Sequence, residues 1–269
     1  MKKIKYIVVC GTSFTHGGGY SELSPMIEVL ERHEGPIPKT IEECAWPAFF
    51  QKLIDPAIKV YNLALSGSSL EYQSRIINEW ISNNRNKVED TLFLLEISGY
   101  GRMELFDKDV QKYIVCNYGF NDCKSIISIH SGIYDREPKA NTEKMMSGEE
   151  LVGSFFDRYI EPYYFVEKIQ SNFFDFLCKL KYKNIDFKVF GDFLLDSSLN
   201  NDPLISLNKL DLYDSRNRKT DGILDFLEKE QLQIKQATKG EYPDFHGSLS
   251  GNKAIANQFY EQLKQNYLL

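Results

Sequence analysis

Serine and histidine residues in two distant loops of this 269-residue chain could form a nucleophile and its base. Ser13 lies in the stretch IVVCGTSFTHGGGYSE, directly after an apolar run near the start of the chain. His246 lies in YPDFHGSLSGN, two residues after Asp244 and close to the end of the chain. A serine hydroxyl becomes a competent nucleophile when a histidine, usually held by a carboxylate, can take its proton. The residue types therefore predict acyl-transfer chemistry if folding brings the two loops together.

Three other kinds of site are excluded for the loop that holds Ser13, because each needs residues that are not there. A P-loop requires Gly-x-x-x-x-Gly-Lys-Ser/Thr, and residues 11–19 contain no lysine. A dinucleotide fingerprint requires Gly-x-Gly-x-x-Gly at the start of a helix, whereas residues 17–21 are GGGYS. The sequence HGGG at residues 16–19 copies the oxyanion loop of lipases with the α/β-hydrolase fold, but those enzymes use it beside a Gly-x-Ser-x-Gly elbow, which the chain lacks. Ser13 is what remains.

His246 is the candidate base among the four histidines. His33 lies in a charged stretch and His130 in an irregular region, so both are expected to be solvated or structural. His16 is too close to Ser13 in sequence to fold back readily onto it. His246 differs from these because an acidic residue precedes it and a Gly-Ser loop follows it.

Apolar strands that end in Gly- and Ser-rich loops are expected to position these residues. Runs at 4–10, 58–69 and 90–102 alternate with amphipathic helical patterns at 40–55 and 70–84. This order predicts right-handed βαβ crossovers and a parallel sheet. A long helix and a fourth strand are predicted at about 155–181 and 187–195, and the closing stretch YPDFHGSLSGNKAIANQFYEQLKQ is predicted as a loop that leads into a terminal helix with Ile255, Phe259 and Leu263 inward. Because ligands bind at the carboxyl ends of the strands in such sheets, chemistry is expected in the loops after the first three strands.

Residues 103–153 break the regular pattern and predict an insertion. Two β-like runs in this region, KYIVCNYG and SIISIHSGIY, are typical of a hairpin or lid. The chain has no internal repeat and no low-complexity linker. We therefore expect a single domain over residues 1–269, a three-layer α/β/α sandwich that carries this insertion.

Composition excludes several classes of partner. The net charge of −6 is spread along the chain, so a nucleic-acid-binding surface is not expected. No apolar stretch is long enough to span a membrane, and the short N-terminal apolar run does not fit a secretory signal. The five cysteines lack zinc-ligand spacing and are expected to be free thiols. A cytoplasmic protein with a small neutral or polar partner is the expectation.

Four sequence blocks occur in the order found in the SGNH hydrolases, also called GDSL-like esterases. They are CGTSFT, NLALSGSS, the loop after the third strand and DFHGSLSGN. The chain resembles this family from residue 4 to about residue 260, apart from the insertion. The resemblance implies a flavodoxin-like sandwich and hydrolysis of acyl esters, including acetyl groups on sugars, without a metal or organic cofactor. By this resemblance Ser13 would be the nucleophile, His246 the base and Asp244 its orienting partner, and the amides of Ser13 and Gly67 would bind the oxyanion.

The first and last blocks depart from the family pattern. Thr12 stands where the family usually has Asp, which should alter the hydrogen bonding of the loop without removing the serine hydroxyl. In the last block, Asp244 precedes His246 with one residue fewer between them than in the usual Asp-x-x-His. Glu241 therefore remains an alternative as the orienting carboxylate, and a histidine that works without one is a third possibility.

The third block shows the largest departure. The family pattern is Gly-x-Asn-Asp, and the expected slot here holds the sequence GYGR, so that Arg102 or the amide of Gly101 would replace the Asn. A literal Gly-x-Asn-Asp occurs later and would make Asn121 the donor, although GFNDCKS between two β runs is also typical of a hairpin turn. Since loss of one oxyanion donor costs roughly a hundredfold to a thousandfold in rate, a slow enzyme is also consistent with this block.

The leading hypothesis is a serine ester hydrolase that acts on a small-molecule or glycan ester, with neither nucleic acid nor membrane as a partner. An O-acyltransferase with the same site is one alternative. A non-catalytic binding or assembly protein that keeps the fold is the other, since a fold does not imply an activity. The sequence leaves the oligomeric state open.

Overall fold

The fold is built from nine strands and eight α-helices among the residues that this computed structural model describes, which are 1–17, 41–65, 67–97, 102–107, 112–121, 124–130, 162–191, 202–233 and 246–269. The strands are β1 (Lys2–Lys3), β2 (Tyr6–Cys10), β3 (Lys59–Asn62), β4 (Thr91–Ile97), β5 (Arg102–Asp107), β6 (Lys112–Asn121), β7 (Lys124–His130), β8 (Asp186–Gly191) and β9 (Tyr267–Leu268). The helices are α1 (Ser13–His16), α2 (Ile41–Cys44), α3 (Trp46–Gln51), α4 (Leu70–Asn83), α5 (Pro162–Tyr182), α6 (Pro203–Ser206), α7 (Ile223–Lys229) and α8 (Leu249–Leu263).

The central sheet has four parallel strands in the order β3-β2-β4-β8. In chain order these are the second, first, third and fourth strands of the sheet, which is the flavodoxin-like arrangement. A parallel bridge between Val189 and Lys209 continues the sheet beyond β8. The strand order reverses between β2 and β4, so the carboxyl ends of these two neighbours form the crevice where such sheets bind ligands.

Side chains of β2 and β4 alternate between two hydrophobic cores, one on each face of the sheet. Ile7 and Leu94 face a core shared with α3, α7 and α8. Val8 and Phe93 face the other core, to which α4 and α5 contribute. Because both strands are buried on both faces, they are nearly continuous apolar runs. The predicted three-layer α/β/α sandwich is confirmed.

The strand predictions hold, with shorter extents than the sequence runs. The runs at 4–10, 58–69 and 90–102 contain β2, β3 and β4, and Arg102 at the end of the third run begins β5. The described part of the predicted 155–181 helix is α5, and the predicted 187–195 strand is β8, of which residues 192–195 lie outside the described part. Among the described helices, none is long and apolar enough to cross a membrane.

The helix predicted at 40–55 is two short helices, α2 and α3. Ala45 between them is extended (φ −72°, ψ 149°) and is the N-cap of α3. Pro47 stands in the first turn of α3, where its missing N–H costs nothing, whereas it would interrupt a continuous helix. The helical pattern at 40–55 would place Leu53 on the apolar side with Phe49, Phe50 and Ile54, but Leu53 follows α3 and is 37% exposed.

A three-stranded antiparallel sheet, β5-β6-β7, lies within the region predicted as an insertion. Arg102 pairs with Asn117, and Asn121 at the end of β6 pairs with Lys124 at the start of β7. Gly119, Phe120 and Asn121 of the literal Gly-x-Asn-Asp therefore end β6 and pair with β7, which is the hairpin that the sequence indicates.

Arg75 of α4 fastens this antiparallel sheet to the sandwich. Its Nε and Nη2 atoms donate to the two carboxylate oxygens of Glu104 at 2.9 and 2.8 Å. The Glu104 side chain is only 4% exposed, and its backbone N–H donates to the Glu71 carboxylate at 2.6 Å. A bidentate pair of this kind is among the stronger polar contacts in a protein.

We predict that Arg75→Met lowers the free energy of unfolding by about 1.5–3 kcal/mol, since the buried Glu104 carboxylate loses both hydrogen bonds from the guanidinium. Urea denaturation measures the change. Lys264→Met is the control, because the Lys264–Glu261 pair is exposed and its loss should cost less than about 0.5 kcal/mol. Equal losses in the two variants would contradict the prediction.

Candidate active site

Ser13 begins α1, the short helix that follows β2 directly. Thr12 before it is extended (φ −95°, ψ −158°), and the chain leaves α1 at Gly17, whose left-handed φ of 95° favours glycine. The N–H of Gly17 donates to the carbonyl oxygen of Ser13 at 3.0 Å. The nucleophile candidate therefore lies in a tight turn at the carboxyl end of β2, as the sequence predicts.

Glu96, at the carboxyl end of β4, contacts this turn directly. The backbone N–H of Thr12 donates to Oε2 of Glu96 at 2.8 Å, and the Thr15 hydroxyl donates to the same oxygen at 2.6 Å. The Thr12 hydroxyl makes a short hydrogen bond to Oε1. Trp46 adds to the network, because its indole Nε1–H donates to the Thr15 hydroxyl at 3.1 Å. Two adjacent strand ends are thus joined through one buried carboxylate.

Burial raises the pKa of Glu96, and the hydrogen bonds from Thr12 and Thr15 and the charge of Arg102 oppose that shift. The residue as a whole is 3% exposed. Sequence reasoning did not select this residue. A usable signal was present, however, since Glu96 is the one charged residue in the strand TLFLLEI, where a buried charge requires partners.

Gly67 lies in the loop after β3, which is hydrogen-bonded to the turn that holds Ser13. The carbonyl oxygen of Gly11 accepts from the N–H of Leu65 at 3.0 Å and from the hydroxyl of Ser68 at 2.8 Å. Gly67 between them is buried and has a left-handed φ of 76°. The neighbouring Ser69 caps α4 by accepting from the N–H of Tyr72 at 3.1 Å. The cap and the two hydrogen bonds hold the Gly67 loop beside the start of α1.

His246 reaches the same region from the loop before α8. Ser248 is the N-cap of α8, and its N–H donates to Leu232 O at 2.8 Å. Asn252 holds the preceding Gly247 carbonyl through Nδ2 at 3.0 Å. The imidazole of His246 packs against the ring of Phe14, with the centroids 5.1 Å apart. The histidine loop therefore contacts the residue that follows Ser13.

The other residues that the sequence predicts for the site are Arg102, Asn121, Gly101, Asp244 and Glu241. Arg102 begins β5, is partly buried and lies near enough to Glu96 for its charge to affect that carboxylate. Asn121 is at the far end of β6, four residues beyond the partner of Arg102. Gly101, Asp244 and Glu241 lie outside the described residues. Within the described ranges, no three His, Cys, Asp or Glu side chains are grouped so as to hold a metal ion.

Comparisons with known proteins give structural likenesses at low identity. No protein-family model matches the sequence, and no curated protein matches it. A catalytic mutant of an acetylxylan esterase from Geobacillus stearothermophilus is 11% identical, covers 98% of this chain and 95% of its own, and has a TM-score of 0.41. A second catalytic mutant of that esterase is 12% identical, with the same coverage and a TM-score of 0.36.

A third likeness is to a protein from Desulfitobacterium hafniense assigned to the lipolytic G-D-S-L family. It is 12% identical, covers 94% of this chain and 99% of its own, and has a TM-score of 0.29. All three TM-scores lie below 0.5, so these likenesses assign no role to any residue of this chain. The fold and the site described above follow from the contacts within the chain itself.

We predict that Glu96→Gln gains stability relative to the wild type as the pH rises. A carboxyl group whose pKa is raised by folding stabilises the native state below its unfolded pKa, and that contribution is lost as the pH rises to the folded pKa. Glutamine does not titrate. The difference in free energy of unfolding, variant minus wild type, should therefore increase from about pH 4.3 upward and then level off. Urea denaturation at a series of pH values measures it, and a difference that is flat or falls with pH would contradict the prediction.

Proposed function

We propose that this chain is a serine ester hydrolase of the SGNH type, with Ser13 as its nucleophile and His246 as its base. One observation carries the proposal: the imidazole of His246 packs against Phe14, the residue next to Ser13, at a centroid distance of 5.1 Å. Loops from opposite ends of the chain thus meet at the carboxyl end of β2, beside the point where the strand order reverses. A serine and a histidine brought to one crevice in this way fit acyl transfer better than phosphate or dinucleotide binding.

In the proposed reaction, the hydroxyl oxygen of Ser13 attacks the ester carbonyl carbon while His246 takes the hydroxyl proton. The tetrahedral intermediate collapses, His246 returns the proton to the leaving alcohol, and the acyl group stays on Ser13. Water then attacks the acyl-enzyme with His246 again as the base. The carboxylic acid leaves, and Ser13 regains its proton.

The negative charge on the intermediate needs hydrogen-bond donors in fixed positions. We assign this role to the backbone amides of Ser13 and Gly67. The hydrogen bonds from Leu65 and Ser68 to the Gly11 carbonyl support the assignment, because they hold the Gly67 loop next to the turn of Ser13. Gly101 or Arg102 is the proposed third donor, in place of the Asn that the resembled family uses.

Acyl esters, with O-acetyl groups on a carbohydrate as the specific case, are the proposed substrates, following the family resemblance of the sequence blocks. Asp244 is the proposed partner that orients His246, with Glu241 as the alternative. A carboxylate in this role fixes the tautomer and the direction of the imidazole.

Replacement of Ser13 by Ala tests the nucleophile. The wild type should react covalently with a fluorophosphonate probe and hydrolyse p-nitrophenyl acetate or an acetylated sugar. Ser13→Ala should lose the labelling and at least about a thousandfold of the turnover, because no other hydroxyl takes over the attack. Ser74→Ala is the matched control, since that hydroxyl bonds within α4 to Leu70 O and has no place in the reaction.

The same assay separates the proposal from its alternatives. A folded wild type that is neither labelled nor active would overturn the hydrolase and point to a binding protein. Product that forms only with an added alcohol acceptor would assign the site to an acyltransferase. Labelling that persists in Ser13→Ala would place the nucleophile elsewhere.

Replacement of His246 by Ala tests the base, with His16→Ala as a second histidine from the turn itself. His246→Ala should lower turnover by about a thousandfold or more, since the hydroxyl of Ser13 then has no base. His16→Ala should stay within about tenfold of the wild type, because the reaction gives this side chain no proton to carry. Steady-state hydrolysis of p-nitrophenyl acetate measures both, and equal losses in the two variants would contradict the assignment of His246.

A further inference from the structure

Glu96 is a buried charged residue that the proposed reaction does not use. The residue is 3% exposed, and within the described part of the chain its three hydrogen bonds come from the turn around Ser13. Thr12 supplies two of the donors, its backbone N–H and its hydroxyl, and Thr15 supplies the third. The Thr12 side chain makes no cap hydrogen bond to α1, although Thr12 is the N-cap residue. Its hydroxyl donates a hydrogen bond to Oε1 of Glu96 instead.

The backbone at Gly11 lets this carboxylate approach. A Cβ atom at Gly11 would lie 2.3 Å from Oε2 of Glu96 and 2.9 Å from the Thr15 hydroxyl oxygen. Any larger residue at this position would therefore push the carboxylate away from its donors. The turn sequence GTSFT, with threonines one residue before and two residues after Ser13, matches the shape and the hydrogen-bonding needs of a buried carboxylate.

The location of Glu96 couples it to the nucleophile. β2 and β4 are neighbours in the sheet, and Cys10, the last residue of β2, pairs with Leu95. Glu96 is the next residue of β4, and Ser13 is next to Thr12, which Glu96 binds through backbone and side chain. Glu96, on the fully buried strand β4, thus contacts the residue next to the proposed nucleophile.

We propose that Glu96 is a positioning residue for Ser13, which fixes the turn after β2 to the end of β4 so that the hydroxyl and the amide of Ser13 keep their catalytic directions. The inference rests on the proposed function of Ser13. Glu96 acts through Thr12 and Thr15 and touches no reacting atom. Displacement of a reacting group by as little as 1 Å can cost about a hundredfold in rate, which sets the size of the expected effect.

The contacts predict which substitute can replace Glu96. The side-chain oxygen of a glutamine can accept from the Thr12 N–H and the Thr15 hydroxyl, in place of Oε2. Its NH₂ group can then donate to the Thr12 hydroxyl, since a hydroxyl both donates and accepts. A leucine of similar size offers no acceptor and leaves all three donors unpaired.

Three variants make the test. Glu96→Leu should lower kcat for p-nitrophenyl acetate and the rate of fluorophosphonate labelling by about a hundredfold while KM changes less than about threefold. Glu96→Gln should restore most of the rate. Leu95→Ala is the control for general destabilisation, because Leu95 is fully buried on the same strand and faces the opposite core. Its kcat should stay within about threefold of the wild type.

Hydrogen exchange of the Thr12 amide gives a second readout that needs no activity. The N–H to Glu96 bond should protect this amide in the wild type. Glu96→Leu should speed its exchange by at least about tenfold over Leu95→Ala. If the wild type is not labelled, the proposed function fails while this measurement still decides whether Glu96 holds the turn.

Two results would overturn the inference. One is a folded Glu96→Leu protein with wild-type kcat and Thr12 exchange. The other is a Glu96→Gln protein as slow as Glu96→Leu, because the hydrogen bonds alone would then not account for the effect. If Glu96→Leu does not fold, Thr12→Val and Thr12→Ser replace it. The valine variant should be slowed and the serine variant should not, and equal rates in the two would also overturn the inference.

Discussion

A buried carboxylate needs hydrogen-bond donors in place of the water that it loses. The buried Glu96 therefore requires donors at the carboxyl end of β4, in the centre of the fold. Its oxygens accept hydrogen bonds from two hydroxyl groups and one backbone N–H of the turn after β2. Trp46 extends the network to α3, because its indole donates to the Thr15 hydroxyl while its ring packs edge-on against Phe190 and Phe259. The candidate nucleophile turn is therefore fixed to the sheet and to one core together.

The other loops of the candidate site depend on the same turn. The loop that carries Gly67 reaches the carbonyl of Gly11 through two hydrogen bonds, and the loop that carries His246 reaches Phe14 through a ring contact. Each loop ends in a serine that caps the helix after it, Ser69 for α4 and Ser248 for α8. The caps set where each helix begins, and so they set how far each loop extends over the carboxyl edge of the sheet.

Local patterns predicted much of this arrangement. The apolar runs gave the central strands, and the Gly- and Ser-rich ends gave the loops of Ser13, Gly67 and His246, because strand burial and turn chemistry depend on neighbouring residues. Local patterns were less successful where backbone chemistry competes with periodicity. The apolar period continues through Ala45 and Pro47, yet the missing N–H of the proline divides the predicted helix into α2 and α3.

The sequence by itself determined the class of fold, the candidate nucleophile and the candidate base, since each follows from residue types within a few positions of one another. Only the tertiary structure decided that Glu96 accepts hydrogen bonds from the turn around Ser13 and that Asn121 pairs with β7 in a hairpin. The physical reason is the same in both cases. A contact between the turn after β2 and the end of β4, or a hydrogen bond between β6 and β7, depends on which strands pair and in which register, and pairing is a property of the assembled sheet.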